Sequence, residues 1–187
     1  VYAPAFKEED IKEIVKICDH ISFNSFSQYE KYKEICSKVS VGIRINPECS
    51  TQEEGHAIYD PCAEGSRLGV ALSNFREDLL DDIEGLHFHT LCEQNSDDLE
   101  KTLKAVEKKF GKYLYKMKWL NIGGGHHITR EDYDVDLLKK LINNIQKKYD
   151  LQVYIEPGEA IALNAGYLVT EVLDIVHNGI DILILDA

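Results

Sequence analysis

Short β-rich runs alternate with amphipathic helical patterns along most of this chain. The β-rich runs predict six strands, at residues 1–4, 21–25, 39–46, 85–90, 118–125 and 151–159. Helical spacing of apolar residues predicts four helices between them, at residues 8–18, 28–36, 96–110 and 134–149. Strands that alternate with helices in this way indicate a parallel sheet whose strands are joined by helical crossovers.

Chemically versatile side chains fall at the predicted C-terminal ends of successive strands. They are Asn24, Arg44, His89, Gly123–Gly125 and Glu156. A (β/α)8 barrel collects such residues at one rim, whereas an open doubly wound sheet mainly uses one crevice. The expected fold class is therefore α/β, a partial (β/α)8 TIM-type barrel with about six of the eight strands. The two remaining strand–helix units are expected N-terminal to this stretch.

The pattern changes after residue 160. Two long apolar strands are predicted around Asn178-Gly179, a dipeptide typical of tight β-hairpins. Such a hairpin does not continue a barrel and indicates the start of a C-terminal antiparallel β domain. We therefore expect a barrel domain over residues 1–162 and the first hairpin of a second domain over residues 163–187. The chain starts without a methionine and stops inside an apolar run, so we expect it to be a piece of a longer protein.

The net charge of −12, from 33 acidic and 21 basic residues, disfavours binding to nucleic acid or to an anionic membrane. It is compatible with a cationic substrate. The five cysteines form no C-x-x-C pair and are odd in number, which favours a reducing cytoplasm over a disulfide framework. Stretches of 18 apolar residues, the mark of a membrane span, are absent from the sequence.

The segment "GLHFHT" places His87 and His89 on the same face of a predicted strand. One interpretation is a metal site in which these two histidines join His126, His127 and Asp186, as in metal-dependent barrel hydrolases. Those enzymes usually carry H-x-H on an early strand, however, and here it lies on the fourth. The alternative is that His87 packs in the barrel wall while His89, nearer the rim, is available to a ligand.

The segments "NIGGGHHIT" and "YIEPGEA" each follow a predicted strand. Three glycines allow backbone N–H groups to close around a phosphate, although a simple tight turn explains them equally well. Glu156 can pair with a protonated ring nitrogen, bind a metal, act as a base, or cap the next helix. A phosphate cradle, a carboxylate and an imidazole at one rim suit pyridoxal 5'-phosphate, whose ring nitrogen must stay protonated.

The order of "GLHFHT", "NIGGG" and "YIEPGE", followed by a β hairpin, resembles the fold-type III pyridoxal-phosphate-dependent decarboxylases. These alanine-racemase-like barrels include ornithine and diaminopimelate decarboxylases. The segments "HISFNSFSQ", "GIRINP", "PCAEGSRLG" and "HFHTLCEQN" are similar to the carboxynorspermidine branch of the family. The resemblance extends over essentially the whole chain.

The resemblance implies decarboxylation of carboxynorspermidine or carboxyspermidine to norspermidine or spermidine. It implies that His89 stacks on the pyridine ring, that Gly123, Gly124 and Gly125 hold the phosphate, and that Glu156 pairs with the ring nitrogen. It also implies a homodimer with shared active sites and no metal. The family's Schiff-base lysine lies on the first barrel strand, so we expect it outside this chain.

Two positions depart from the pattern of ornithine and diaminopimelate decarboxylases. Leu91-Cys92-Glu93 replaces residues similar to Gly-Ser-Gln, and Glu159 replaces the arginine of Glu-Pro-Gly-Arg. We interpret Glu159 as a substrate-binding residue for the ammonium groups of a polyamine, with a solvated acid at a helix start as the alternative. Three other functions stay open: an ornithine or diaminopimelate type of decarboxylase, a non-catalytic carrier of the cofactor, and the metal-dependent hydrolase.

Overall fold

Five parallel strands form the central sheet of the computed structural model, which describes residues 1–52 and 60–187. They are β1 (His20–Phe23), β2 (Ser40–Arg44), β3 (Gly85–His87), β4 (Trp119–Asn121) and β5 (Gln152–Tyr154). The strands pair in chain order, and every neighbouring pair is parallel. The predicted parallel sheet is confirmed for five of the six predicted strands.

The predicted strand at residues 1–4 forms only one parallel bridge, between Tyr2 and Ser22. The Ser22 N–H donates to the carbonyl of Val1 at 2.9 Å. Pro4 has no N–H to donate, so a ladder cannot continue through it. This segment therefore lies along the outer edge of β1 without becoming a full strand.

Five α-helices accompany the sheet in the described part of the chain. They are α1 (Glu8–Ile14), α2 (Phe26–Tyr32), α3 (Ser96–Leu114), α4 (Val135–Tyr149) and α5 (Gly158–Ala162). Ser25 caps α2 by accepting the Gln28 N–H, and Asp134 caps α4 by accepting the Leu137 N–H. Asn95 occupies the N-cap position of α3, but its side chain makes no capping hydrogen bond.

The core lies between the sheet and the apolar faces of the helices. In α3 the buried side chains recur at helical spacing and include Leu99, Leu103, Val106, Phe110 and Leu114. They join strand residues in one apolar cluster. The described part of the connection from β2 to β3 contains two short 3-10 helices, at Leu72–Asn74 and Glu77–Leu79. Among the described residues, no helix combines the length and the apolar character needed to cross a bilayer.

Trp119 fills space inside the sheet at the N-terminal ends of the strands. Gly42, Gly85 and Trp119 lie next to one another on β2, β3 and β4. The indole lies against both glycines, and its Nε1–H donates to the Ser40 hydroxyl at 2.8 Å. One large side chain thus fills the sheet at the N-terminal ends of the strands. The polar residues lie at the opposite, C-terminal ends.

The chain ends in an antiparallel hairpin of β6 (Val172–His177) and β7 (Asp181–Leu185). Its turn contains Asn178 and Gly179, and Gly179 has a φ of +81°. The hairpin predicted from this dipeptide is confirmed. Side chains on both faces of the ribbon are exposed, for example Ile175 at 59% on one face and Ile182 at 40% on the other.

Candidate cofactor site

The predicted site residues lie at one edge of the sheet, at or just after the ends of three neighbouring strands. His87, the last residue of β3, is the register partner of Asn121, which in turn pairs with Tyr154 at the end of β5. His89 and Glu156 each follow their strand by two residues. The C-terminal ends of parallel strands meet at one edge, so residues far apart in sequence become neighbours here.

Glu156 is the central charged group of the site. Its Oε1 accepts a hydrogen bond from the Asn121 amide at 2.7 Å, and its Oε2 lies 3.7 Å from His89 Nδ1. The pKa of Glu156 is lowered to about 2, chiefly by its contact with the His89 imidazole and against the opposing effect of partial burial. The carboxylate is therefore ionised at neutral pH, as a partner for a protonated pyridine nitrogen must be.

His89 stands at the rim with its side chain 36% exposed. Its carbonyl accepts a hydrogen bond from Arg44 Nη2 at 3.1 Å, and the buried Arg44 guanidinium lies 4.6 Å above the Tyr2 ring. The Arg44 contact restrains the backbone that carries His89. A flat aromatic ring held at the rim beside an anionic carboxylate fits a planar heteroaromatic cofactor.

His87 is fully buried, and within the described part of the chain both of its ring nitrogens are without a hydrogen-bond partner. Its Nε2 lies 4.0 Å from Glu156 Oε1, and its ring meets Tyr2 edge-on at 5.1 Å. Burial lowers the pKa of His87 to about 3, against the attraction of the Glu156 carboxylate, so the imidazole is neutral. The prediction that His87 packs in the barrel wall and His89 faces the rim agrees with these positions.

The glycine triplet packs tightly against the ends of β3 and β5. Gly123 and Gly125 have φ values of +73° and +78°. A Cβ atom at Gly125 would lie 2.1 Å from the Leu91 carbonyl oxygen, and one at Gly124 would lie 2.5 Å from that of Glu156. Close approach to the backbone of Leu91 and of Glu156 therefore requires glycines here, which supports the tight-turn interpretation and leaves the phosphate role as a prediction.

Glu159 lies in the first turn of α5, with both carboxylate oxygens engaged. Oε1 accepts a hydrogen bond from the Thr129 hydroxyl at 2.7 Å, and Oε2 lies 3.1 Å from His127 Nε2. Both partners belong to the loop that follows the glycine triplet. The carboxylate is 37% exposed, so it faces the rim while being held in a fixed orientation.

The sequence did not predict the contacts that orient Glu156 and His89. Asn121, which hydrogen-bonds Glu156, could have been recognised from its place at a strand end two residues before the glycine triplet. Arg44 was recognised as a rim residue, but nothing in the sequence predicts its bond to the His89 carbonyl. Asn24 was also placed at the rim; its amide donates to the Arg67 carbonyl and accepts from the Gly69 N–H and the Tyr2 hydroxyl.

Of the five residues predicted to form a metal site, two lie close together in the structure: His87 and His89. Ligand atoms of His87, His89 and Glu156 all lie within 4.8 Å of one another. Within residues 1–52 and 60–187, the other predicted ligands lie outside this group: His126, His127 and Asp186. The arrangement predicted by analogy with metal-dependent hydrolases is therefore not formed.

A family model described as the pyridoxal binding domain of the pyridoxal-dependent decarboxylases matches residues 1–163. The chain belongs to this family. The predicted cofactor, pyridoxal phosphate, and the predicted α/β barrel class are confirmed.

Two similar proteins have names that describe related substrates. A carboxynorspermidine/carboxyspermidine decarboxylase of Campylobacter jejuni is 48% identical over 186 residues, which is 100% of this chain and 48% of the relative. A carboxyaminopropylagmatine decarboxylase of Synechocystis is 40% identical, over 95% of this chain and 46% of the relative. The chain thus spans about half the length of the curated relatives it matches.

Solved structures agree with the fold. A crystal structure of carboxynorspermidine decarboxylase from Campylobacter jejuni, complexed with norspermidine, superposes with a TM-score of 0.82 at 47% identity. The match covers 99% of this chain and 47% of that one. A diaminopimelate decarboxylase structure superposes at 0.73 with 16% identity, over 100% of this chain and 48% of that one, and supports the fold alone.

Proposed function

We propose that this chain carries the cofactor-binding part of a pyridoxal-phosphate-dependent carboxy-lyase of polyamine biosynthesis. The reaction is decarboxylation of carboxynorspermidine or carboxyspermidine to norspermidine or spermidine. The observation that carries this proposal is the 48% identity to the Campylobacter jejuni enzyme over the whole chain. The ornithine and diaminopimelate types are less well supported: a diaminopimelate decarboxylase of Aquifex aeolicus, for example, is 29% identical.

In this proposal His89, Gly123–Gly125 and Glu156 hold the cofactor. Pyridoxal phosphate, when bound, supplies a protonated ring that takes up the electron pair left by departing CO₂. His89 covers one face of that ring, and the backbone of the glycine loop meets the phosphate. Glu156 keeps the proton on the ring nitrogen because its own pKa, about 2, lies far below neutrality.

Asn121 and Arg44 act as positioning residues. The Asn121 amide holds one oxygen of Glu156, which leaves the other oxygen directed toward His89. Arg44 restrains the His89 carbonyl. Together these contacts fix the carboxylate and the imidazole relative to each other before any ligand arrives, which lowers the reorganisation needed at the reaction step.

Glu159 binds the substrate in this proposal. An arginine at this position would offer charge to the cofactor phosphate, whereas a carboxylate at the rim attracts an ammonium group of a polyamine. Thr129 and His127 hold the carboxylate in place. Phosphate binding then depends more strongly on backbone N–H groups around the glycine triplet.

We propose further that residues 1–162 form the cofactor domain and that residues 163–187 begin a second, β-rich domain. The family match, which ends at residue 163, supports this boundary. The Schiff-base lysine is assigned outside residues 1–187, because every lysine of this chain lies away from the C-terminal strand ends. Lys118, at the N-terminal end of β4, pairs with Glu84. The protein is proposed to be a cytoplasmic homodimer with shared active sites, to bind neither nucleic acid nor membrane, and to use no metal in the reaction.

The test is a substrate panel with the full-length protein and saturating cofactor. The panel contains carboxynorspermidine, carboxyspermidine, carboxyaminopropylagmatine, diaminopimelate and ornithine, with CO₂ release as the measured quantity. We expect the highest kcat/KM with the first two compounds. A preference for diaminopimelate or ornithine would contradict the substrate assignment, and sedimentation velocity on the same sample tests the dimer.

A further inference from the structure

His87, His89 and Glu156 form a compact group of two imidazoles and one carboxylate. Within the described residues it is the only group of three or more His, Cys, Asp or Glu side chains whose ligand atoms converge. Two histidines and one glutamate are a ligand set that binds Zn²⁺ in proteins, with a fourth position left to water. We propose that the cofactor-free protein binds one Zn²⁺ per subunit at these residues, and that Zn²⁺ and pyridoxal phosphate exclude each other.

The three side chains converge, with ligand atoms somewhat farther apart than in an occupied zinc site. Zinc bonds of about 2.0–2.2 Å place tetrahedral ligand atoms about 3.3 Å apart. Here Glu156 Oε2 lies 3.7 Å from His89 Nδ1, and Glu156 Oε1 lies 4.0 Å from His87 Nε2. A bound ion would require the three ligand atoms, which now lie within 4.8 Å of one another, to move closer together, and Glu156 Oε1 would exchange its hydrogen bond from Asn121 for the ion. The two histidines are fixed two residues apart at the end of β3.

His87 supplies an independent reason to expect a ligand. Its side chain is fully buried, and neither ring nitrogen has a hydrogen-bond partner in the described part of the chain. A buried polar atom without a partner is costly, and one ring nitrogen lies 4.0 Å from the Glu156 carboxylate. A metal ion between His87 and Glu156 would satisfy that nitrogen and neutralise the carboxylate.

Zn²⁺ and the cofactor would compete because both would use Glu156 and His89. The Glu156 carboxylate that would pair with the ring nitrogen of the cofactor is also the anionic ligand of the metal. His89, which would stack on the ring, would instead direct its Nδ1 toward the ion. This part of the inference rests on the proposed function, whereas metal binding by the three side chains does not.

The experiment uses the full-length protein stripped of pyridoxal phosphate. Equilibrium dialysis measures bound Zn²⁺, and the visible absorbance of Co²⁺ reports a tetrahedral site with nitrogen and oxygen ligands. The variants are His87→Asn and His89→Asn, and the exposed His177, which pairs with Asp181 in the hairpin, provides the control His177→Asn. Circular dichroism checks that each variant is folded; His89 is partly exposed and can be replaced with less risk to the core.

We expect one Zn²⁺ per subunit in the wild type and in His177→Asn. Removal of either site imidazole should weaken binding beyond the roughly 10–100-fold effect of losing a mere supporting contact. Saturation with pyridoxal phosphate should release the metal. The absorbance of the cofactor measures its binding. Unchanged zinc binding in a folded His89→Asn variant would overturn the site, as would the absence of stoichiometric binding. Zinc retained alongside bound cofactor would overturn the competition, while failure of the cofactor to bind at all would count against the proposed function instead.

Discussion

Trp119 and Gly85 are register partners on adjacent strands, and the indole lies where a side chain at residue 85 would be. A Cβ atom built on Gly85 would fall 2.0 Å from the indole Cδ2. Such a contact is impossible without movement of the ring or of the backbone. The glycine is therefore required by the volume of its neighbour, not by a turn.

Gly85→Ala should lower the stability of the full-length protein. The added methyl group overpacks a buried layer, which costs about 1–3 kcal/mol or more. The melting temperature measured by differential scanning calorimetry should fall. Gly166→Ala is the matched control, because a Cβ at that position meets nothing within 4 Å. An unchanged melting temperature for Gly85→Ala would show that the indole moves freely.

The sheet could be predicted because each strand is a short apolar run bounded by polar segments. The strands end earlier than predicted, however. Residues 118–125 were expected to be extended, whereas β4 ends at Asn121. Gly123 and Gly125 adopt positive φ and turn the backbone out of the ladder. The C-terminal halves of the predicted strands thus become the rim loops, a change that apolar periodicity does not reveal.

The predicted meeting of His89 and Glu156 follows from the parallel topology alone. Other contacts depend on register and loop conformation. The hydrogen bond between Thr129 and Glu159 joins a loop residue to a residue of α5, 30 positions away, and no local pattern encodes it. The packing of Trp119 on Gly85 likewise requires the register of β3 and β4 to be known. The topology of the sheet could be predicted from the sequence, whereas side-chain contacts between distant segments could not.

Glu156→Gln should reduce kcat strongly while cofactor occupancy is largely retained. A neutral amide does not favour the protonated ring nitrogen, and loss of one preorganised electrostatic contact typically costs about two orders of magnitude in rate. Steady-state kinetics and cofactor absorbance measure the two quantities separately. Asn121→Ala, which removes only the supporting amide, should have a smaller effect. Wild-type kcat in Glu156→Gln would exclude Glu156 from the reaction.

His89→Ala should weaken cofactor binding, because it removes the proposed stacking face. Aromatic stacking suggests a loss of about 1 kcal/mol in binding free energy. His87→Asn should mainly reduce stability, since His87 is fully buried. Fluorescence titration with pyridoxal phosphate and urea denaturation distinguish the two effects. Equal cofactor affinity in His89→Ala and wild type would argue against stacking.

Glu159→Gln should raise KM for carboxynorspermidine and leave cofactor affinity nearly unchanged. An ion pair at 4 Å is worth about 1 kcal/mol in water and about 4 kcal/mol at an effective dielectric of 20. The carboxylate is 37% exposed, which favours the lower figure. The expected rise in KM is therefore a few-fold. Thr129→Val is the control, because it releases Glu159 without removing its charge. If kcat/KM is unchanged in Glu159→Gln, the residue does not bind the substrate.

His126 should make the protein less stable in acid. Burial lowers the pKa of His126 from 6.5 to about 4, so the folded state keeps this imidazole neutral while the unfolded state takes up a proton below pH 6.5. The stability contributed by the neutral imidazole is fully present above pH 6.5 and is lost as the pH falls toward 4. The free energy of unfolding decreases over this range by about 3 kcal/mol at most. His126→Gln should flatten this part of the stability profile in urea denaturation. The exposed His177→Gln should leave it unchanged, and an identical profile in all three proteins would refute the assignment.

The β6–β7 hairpin has a practical consequence for recombinant production. Its ribbon exposes apolar side chains on both faces, and an isolated two-stranded ribbon is at best marginally stable in water. Free strand edges beside such side chains favour intermolecular pairing. Expressed by itself, this 187-residue polypeptide is therefore expected to accumulate in inclusion bodies, despite its net charge of −12. Its solubility would be governed by the hairpin, and a coexpressed or fused polypeptide that covers both faces would be the remedy.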